Sequence, residues 1–211
     1  LIAMGLTVIM TAVAVCGCGS SDSGNDAKKS DNQTKQQAVK VIDVDLTSEE
    51  YAFGVDKNKP ELLTQVNDFI KEIKDNGTFD EICNKYFGGG NPTPVKSEKL
   101  DTSKDQLLVA TNASFEPFEY MKGDSYYGID MEIAAALAKK LNKELVIQNM
   151  EFDSVCLSVG QHKSDIAMTG LTIKEDRKKY VNFTDSYYNA AQRLIVKGDS
   201  TEFDNCKDKA A

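Results

Sequence analysis

The sequence has few of the residues that catalytic and metal sites require. It contains one histidine, His162, so neither a histidine triad nor a histidine cluster can form. The cysteines beyond the N-terminal region are odd in number and show no short spacing: Cys83, Cys156 and Cys206. This pattern argues against both a disulfide framework and a zinc site. We therefore expect no catalytic residue, no metal and no cofactor.

Positive charge is also scarce. The 211 residues hold 25 Lys and Arg against 33 Asp and Glu, a net charge of −8. A chain of this charge lacks the basic face that phosphate binding needs, so nucleic acid is not an expected partner. Arginine occurs only as Arg177 and Arg193. Any recognition that needs a planar guanidinium must use one of these two residues.

The N-terminal region predicts export. Residues 1–16 form an uncharged apolar run that is too short for a comfortable membrane span. Small residues follow it, as in a secretion signal. Residues 15–18 (VCGC) resemble a bacterial lipobox, so residues 1–18 are expected to be a lipoprotein signal peptide with Cys18 lipidated. Cys16 is disfavoured because a bulky valine precedes it. The alternative is a buried apolar strand with two incidental cysteines.

A polar stretch of Ser, Asp, Asn, Lys and Gln fills residues 19–37. It has no apolar periodicity and predicts a flexible tether. Signal, cysteine and tether together predict a protein exported to the periplasm or held on the outer face of the cell membrane by a lipid anchor.

Residues 38–88 combine short strands with two helices. Strands are expected over 39–43 and 51–55. A helix opened by Pro60 follows, with one apolar stripe: Leu62, Val66, Phe69, Ile70 and Ile73. Thr78 and Glu81 have the spacing of a capping box for a second helix, in which the spacing of Cys83 predicts packing. Residues 89–105 then lose all periodicity and predict a linker.

Residues 106–198 alternate strands with helices. Strands are expected over 107–111, 145–148, 165–168, 181–183 and 194–196. A hairpin is expected over 118–127, a helix capped by Asp130, and short helices over 154–159 and 175–178. This alternation predicts an α/β fold with a largely parallel sheet. Ligands bind where such strands end, so the loops after Thr111 and Met168 are the candidate site.

The loop after Met168 has the residues of a carboxylate receptor. Gly170 lets the backbone approach a ligand closely, Thr172 supplies a hydroxyl, and Arg177 can donate hydrogen bonds to both oxygens of a carboxylate. Phe115 and Phe152 could form flat apolar walls.

Two alternatives stay open on these residues alone. Arg177 could be a surface arginine paired with Asp176 or Asp185. The two phenylalanines could belong to the core.

The second segment resembles the polar amino-acid-binding family of bacterial ABC importers. LLVATNASFEPFEY is similar to the family's opening strand and aromatic loop, and SDIAMTGLTIKEDRKKYVNFTDSYY to its signature. The resemblance implies that Phe115 and Phe152 enclose the ligand side chain and that Arg177 holds its α-carboxylate. It assigns further main-chain and hydroxyl contacts to Thr169, Gly170 and Thr172. Asn112, in the first loop, is also expected to contact the ligand. It stands where Asp or Gly is commoner, which leaves the ligand's side chain undetermined.

Residues 38–88 resemble the same family, but out of order. They are similar to its C-terminal end and here precede the N-terminal half, residues 106–198, which carries half of the ligand site. The resemblance implies one lobe of a periplasmic-binding-protein-like fold in permuted order, joined by 89–105. Residues 199–211 would begin the crossing to a second lobe that is missing. A tandem fusion is the rival interpretation.

The function implied is a lipid-anchored amino-acid-binding component of an ABC importer. Its expected partners are a free amino acid, the ABC permease and, through the anchor, the membrane, and the protein is expected to be a monomer and not an enzyme. Two alternatives use the same fold: a dehydratase-type enzyme and a sensor without transport.

Overall fold

The computed structural model describes residues 39–208. Within this range the chain forms four α-helices, numbered in chain order: α1 (Pro60–Asp75), α2 (Thr78–Phe87), α3 (Ile129–Lys140) and α4 (Phe152–Gly160). A short 3-10 helix covers Arg177–Lys179. The strands of the same range are β1 (Val39–Val41), β2 (Glu49–Tyr51), β3 (Gly54–Asp56), β4 (Gln106–Thr111), β5 (Ser114–Phe115), β6 (Glu119–Lys122), β7 (Ser125–Tyr127), β8 (Glu144–Asn149), β9 (Ile166–Ala167), β10 (Val181–Phe183), β11 (Tyr188–Ala190) and β12 (Ile195–Lys197).

The chain divides into two compact units, of which the larger is Asp45–Gln192. The smaller is described over residues 39–44 and 193–208, where β1 and β12 form an antiparallel pair. Arg193 forms an ion pair of 2.6 Å with Asp43 beside this pair. Among residues 39–208, none of the helices combines the length and the apolar character that crossing a membrane requires. The predicted signal peptide and tether, residues 1–37, lie outside the described residues.

A five-stranded sheet in the order β10-β3-β9-β4-β8 forms the centre of the larger unit. β8, β4 and β9 are parallel neighbours, whereas β3 is antiparallel to both β9 and β10. Four of the five strands therefore run in one direction, and only β3 is reversed. The predicted fold class, an α/β lobe with a mostly parallel sheet, is confirmed.

Helices cover both faces of this sheet. The predicted stripe of α1 is buried along its whole length and packs in the main core with α3 and sheet residues such as Val55 and Leu107. Cys83 of α2 packs against the same core, as its spacing predicts. On the other face, α4 contributes Val155 and Val159 to a second cluster with β4, β9 and β10. The unit is therefore a three-layer sandwich.

The segment around Phe53 supplies the reversed strand. The strand predicted over 51–55 is two strands in the structure, because β2 ends at Tyr51 and β3 begins at Gly54. β2 pairs with β11, outside the central sheet. Phe53, between β2 and β3, is fully buried and stacks on Tyr187 with ring centroids 4.3 Å apart. The early segment is therefore part of the same core as the later one.

Two predicted helix caps are wrong. The N-cap of α2 is Gly77, in the left-handed region at φ 84°, and Thr78 already lies inside the helix. The side chain of Asn76 satisfies one of the free N–H groups at the start of this helix, since its oxygen accepts the Thr78 N–H at 3.0 Å. The N-cap of α3 is Gly128, and Asp130 is a fully buried residue of the first turn. Its carboxylate accepts hydrogen bonds from the Gly170 N–H and the Tyr187 hydroxyl instead of capping the helix.

The 89–105 segment forms no regular helix or strand, as predicted, but it is packed against the lobe. Val95 is buried and pairs with Tyr126 of β7. Ile147 of β8 donates its N–H to Ser97 Oγ at 2.8 Å, and the Glu98 N–H donates to the Leu145 carbonyl at 2.8 Å. The segment therefore lies along the outer edge of β8.

Phe53→Ala tests whether the early segment is part of the core. Removing a fully buried aromatic ring should lower the free energy of unfolding by about 3–5 kcal/mol, measured by urea denaturation of the full chain. Phe53→Leu should lower it less. Leu100→Ala is the control, because that side chain is 56% exposed and its loss should change stability by less than about 0.5 kcal/mol. Wild-type stability in Phe53→Ala would contradict the packing described here.

Candidate ligand-binding cleft

All seven residues predicted to contact a ligand line a single cleft of about 310 Å³ in the larger unit: Asn112, Phe115, Phe152, Thr169, Gly170, Thr172 and Arg177. The cleft opens where β4 and β9 end, which are parallel neighbours in the sheet. The sequence analysis missed the other four lining residues: Glu49, Tyr51, Ser114 and Glu119. The carboxyl ends of the strands thus bring the two predicted loops together.

The Thr169 hydroxyl joins the two loops. It accepts the N–H of Asn112 at 3.1 Å and donates to Glu119 Oε1 at 2.7 Å. Thr169 is buried, so this hydroxyl is occupied by the protein itself. Its role in the described structure is to hold the two loops in register.

Two features of its position favour glycine at Gly170. Its φ of 50° lies in the left-handed region, and a Cβ at this position would come within 3.0 Å of the Phe115 ring. Its N–H donates to Asp130 Oδ2 at 2.8 Å, so this group is occupied by the protein itself. The glycine thus lets Phe115 lie against the backbone while its N–H fixes the loop to α3.

Asp130 and Glu119 form a buried acid pair beneath the cleft. Asp130 also accepts the Tyr187 hydroxyl at 2.6 Å, so two donors favour its charged form. Glu119 accepts only the Thr169 hydroxyl, and its Oε2 has no hydrogen-bond partner among the described residues. Burial, together with the neighbouring Asp130 carboxylate, raises the pKa of Glu119 to about 10. Burial also raises the pKa of Asp130, although its two hydrogen bonds act to lower it. Glu119 is therefore the acid that keeps its proton.

The guanidinium of Arg177 faces the cleft. Its Nη1 donates to the Thr172 carbonyl at 2.8 Å, and its Cζ lies 5.1 Å from the centroid of the Phe152 ring. Among residues 39–208 no carboxylate forms an ion pair with it, and the Asp176 side chain accepts only the Arg177 backbone N–H. The surface-arginine alternative is therefore wrong. The remaining guanidinium donors are available to an anion.

The two predicted aromatic walls are exposed. Phe115 is 43% and Phe152 is 38% exposed, so the core-packing alternative is wrong for both. Phe115 stacks on Phe118 with ring centroids 5.5 Å apart, which fixes the orientation of one wall. Phe152 begins α4 and is held by the cation of Arg177.

Asn112 has a structural role that a carboxylate could not fill. Its Nδ2 donates to the Met150 carbonyl at 2.8 Å, and its Oδ1 accepts the Ser114 hydroxyl at 2.5 Å. An aspartate at this position has no N–H to donate to that carbonyl. The amide therefore holds the first loop against the end of β8, instead of supplying charge to the cleft.

Glu49 and Tyr51 reach the cleft from β2. They are two residues apart on a strand, so their side chains lie on the same face, which is the signal in the sequence that could have found them. Tyr51 forms an antiparallel bridge with Thr172, and the Ile173 N–H donates to the Glu50 carbonyl at 3.1 Å. Burial and the neighbouring Glu49 raise the pKa of Tyr51 to about 12.

The chain matches the family model of the bacterial extracellular solute-binding proteins, family 3, over residues 12–89 and 107–208. It is similar to the arginine-binding extracellular protein ArtP of Bacillus subtilis, 39% identical over 100 residues, 47% of this chain and 39% of ArtP. The arginine-binding periplasmic protein of Mannheimia haemolytica is 34% identical over 108 residues, 50% of this chain and 45% of that protein. The match thus spans less than half the length of these relatives.

Among solved structures, the arginine-bound form of domain 1 from TmArgBP is similar, at 32% sequence identity and a TM-score of 0.39. The similarity covers 49% of this chain and 90% of that chain.

The buried acid pair predicts a pH-dependent stability. The folded protein keeps a proton on Glu119 at pH values where the unfolded chain, with a glutamate pKa near 4.5, has lost it. The unfolded state therefore binds fewer protons, and the free energy of unfolding should fall from pH 5 to pH 8, by up to about 1.4 kcal/mol per pH unit for one proton. Glu119→Gln, a neutral isostere, should flatten this slope in urea titrations.

Glu116→Gln is the matched control, because Glu116 is an exposed residue of the same loop. Its pH slope should equal that of the wild type. A Glu119→Gln variant with the full wild-type slope would show that Glu119 is not the proton-carrying group.

Proposed function

Since the chain belongs to the bacterial extracellular solute-binding proteins, family 3, we propose that it captures a free amino acid outside the cell for an ABC permease. The similarity to arginine-binding proteins of Bacillus subtilis and Mannheimia haemolytica supports this proposal. It also makes arginine the first ligand to test. The whole assembly, including the permease and a second lobe that closes over the ligand, is part of the proposal.

In the proposed complex Arg177 holds the ligand's α-carboxylate with the 169–172 loop. The observation that carries this assignment is the guanidinium itself, which lines the cleft beside Thr172 and has no carboxylate partner among the described residues. A guanidinium presents paired N–H donors that match the two oxygens of a carboxylate. The ligand's side chain lies between Phe115 and Phe152, whose exposed faces leave room for it.

A cationic side chain suits the rest of the cleft. The carboxylate of Glu49 lines it together with the cation of Arg177, whereas Glu119 keeps its proton and adds no charge. The aromatic faces of Phe115 and Phe152 can also attract a guanidinium through cation–π contacts. These features agree with arginine better than with an acidic amino acid.

We propose binding without turnover. The one lining acid that keeps a proton is Glu119, which is 1% exposed and bonded to Thr169. A general acid must reach the reacting group, and the carboxyl group of Glu119 is almost fully buried and bonded to the Thr169 hydroxyl. Recovery of unchanged ligand after long incubation is the expected result, and consumption of prephenate or arogenate would support the dehydratase alternative.

The order of the two matched segments is proposed to be a circular permutation of one family lobe. What supports it is that β3, from the early segment, pairs with β9 and β10 from the late one. Residues 89–105 join the two segments, and the protein acts as a monomer. The rival tandem fusion would place the two segments in separate lobes.

Arg177→Lys should weaken arginine binding more than Thr172→Ala does. Lysine keeps the charge but loses the paired donors, an expected loss of about 2–5 kcal/mol for a disturbed charge pair. Removing the Thr172 hydroxyl deletes one proposed hydrogen bond to the ligand's α-carboxylate, a loss of about 1.5–3 kcal/mol of binding free energy. NMR titration of the full chain measures both, including affinities in the millimolar range.

Arg193→Lys is the control, because Arg193 lies in the smaller unit and pairs with Asp43. It should bind arginine like the wild type. If Arg177→Lys also binds like the wild type, the carboxylate assignment is wrong.

The proposed lipid anchor is Cys18, which lies outside the described residues. Labelling of cells with radioactive palmitate should mark the protein expressed from its own gene. Cys16→Ser should keep the label and the membrane location, whereas Cys18→Ser should lose both. Label retained in Cys18→Ser would exclude this cysteine as the anchor.

A further inference from the structure

A second cavity of the larger unit has no part in the proposed function. Its volume is about 910 Å³, and it shares no lining residue with the cleft. Three parts of the chain wall it: the joining segment (residues 89–105), α3, and the turn that leads into β8. We call this cavity the joining-segment groove. One of its walls is thus the segment that joins the two matched parts of the chain.

The groove follows one face of α3. Its lining residues on this helix run from Glu132 to Lys139, a distance of about 10 Å at a rise of about 1.5 Å per residue. About three residues of extended chain cover that distance. Apolar side chains from all three walls also line the groove: Val95, Ala135 and Leu145. A short extended peptide therefore matches the groove in length and can bury apolar side chains in it.

The acids of the groove are neutralised within the protein. Glu144 forms an ion pair with Lys104 at 2.8 Å, and Asp105 forms one with Lys143. Glu132 is 8% exposed, and a lysine and a tyrosine hydroxyl of α2 bind its carboxylate. Each carboxylate that lines the groove thus already has a cationic partner.

Two lysines of the groove have no such partner. Lys96 lies on the joining segment and Lys139 on α3, and both are exposed. Among residues 39–208 no carboxylate forms an ion pair with either of them. The groove therefore carries two uncompensated positive charges in a chain of net charge −8. Its charge is complementary to an acidic partner.

The backbone of the joining segment gives a partner strand little to pair with. The N–H and carbonyl of Val95 are both bonded to Tyr126, at 2.8 and 3.1 Å. Pro94 has no N–H to donate. Recognition in this groove therefore depends on side chains, with the two lysines as its charged groups.

We propose that the joining-segment groove binds an extended acidic segment of a partner protein. Carboxylates of that segment lie beside Lys96 and Lys139, and its apolar side chains pack against Ala135 and Leu145. This inference goes beyond the proposed function, because it assigns a second binding surface that does not involve the cleft.

The first test titrates the isotope-labelled full chain with the acetylated and amidated hexapeptide DLEDLE and follows the amide chemical shifts by NMR. Shifts are expected at residues 93–96 and 132–145. The neutral peptide NLQNLQ should bind about tenfold more weakly, and salt at about 0.5 M should remove most of the binding by screening the charges. No shifts at these residues, or equal shifts with NLQNLQ, would overturn the proposal.

The second test replaces the two lysines. Lys96→Gln and Lys139→Gln should each weaken DLEDLE binding about threefold, and the double variant about tenfold, the scale of exposed ion pairs. Lys99→Gln is the matched control, because Lys99 is an exposed lysine of the same segment that does not line the groove. It should bind like the wild type. A double variant that keeps wild-type affinity, with an unchanged thermal unfolding curve, would contradict the role of these lysines.

Other occupants give other results. If succinate binds as tightly as DLEDLE, a small dianion is sufficient and the peptide assignment is wrong. If DLEDLE does not bind but the chain sediments with phosphatidylglycerol vesicles, and the double variant does not, the partner is a lipid surface instead. Saturating arginine should leave DLEDLE binding unchanged. Failure of this proposal therefore leaves the proposed function intact, and a chain that binds no amino acid leaves the groove proposal intact.

Discussion

The pairing of β3 with β9 on one side and β10 on the other is the interaction on which the larger unit depends. It joins strands from the two ends of this unit into one sheet. Without β3, β10 would have no partner in the sheet, and Phe53 would not cover Tyr187. The same segment continues back into β2, which carries Glu49 and Tyr51 to the cleft. The contact that completes the core therefore also completes the site.

Asp130 connects this core to the 169–172 loop of the cleft. Its carboxylate accepts one hydrogen bond from Gly170 and another from Tyr187, so α3, the 169–172 loop and the segment before β11 converge on it. The loop is thus fixed to the core by the buried side chain of Asp130.

Much of the fold and of the site was predictable, because both rest on local patterns. The stripe of α1 and the loops after β4 and β9 follow from periodicity and from where parallel strands end. Asp130 was misread, because an acid at a helix start has the same pattern whether it caps the helix or is buried beneath it. Glu49 was missed because its segment is distant in sequence from the loop it joins. Its spacing from Tyr51 places both side chains on one face of β2, but only the three-dimensional pairing of β2 brings that face to the loop.

The packing of residues 89–105 along β8 also changes what the sheet presents to its surroundings. β8 is an outer strand, and its outward-facing groups at Leu145 and Ile147 are bonded to Glu98 and Ser97. An uncovered strand edge is a template on which another chain can add a strand, the first step of aggregation. The segment that joins the two halves of the lobe thus shields this edge as well. Neighbouring copies of the chain therefore cannot add a strand at this covered stretch of β8.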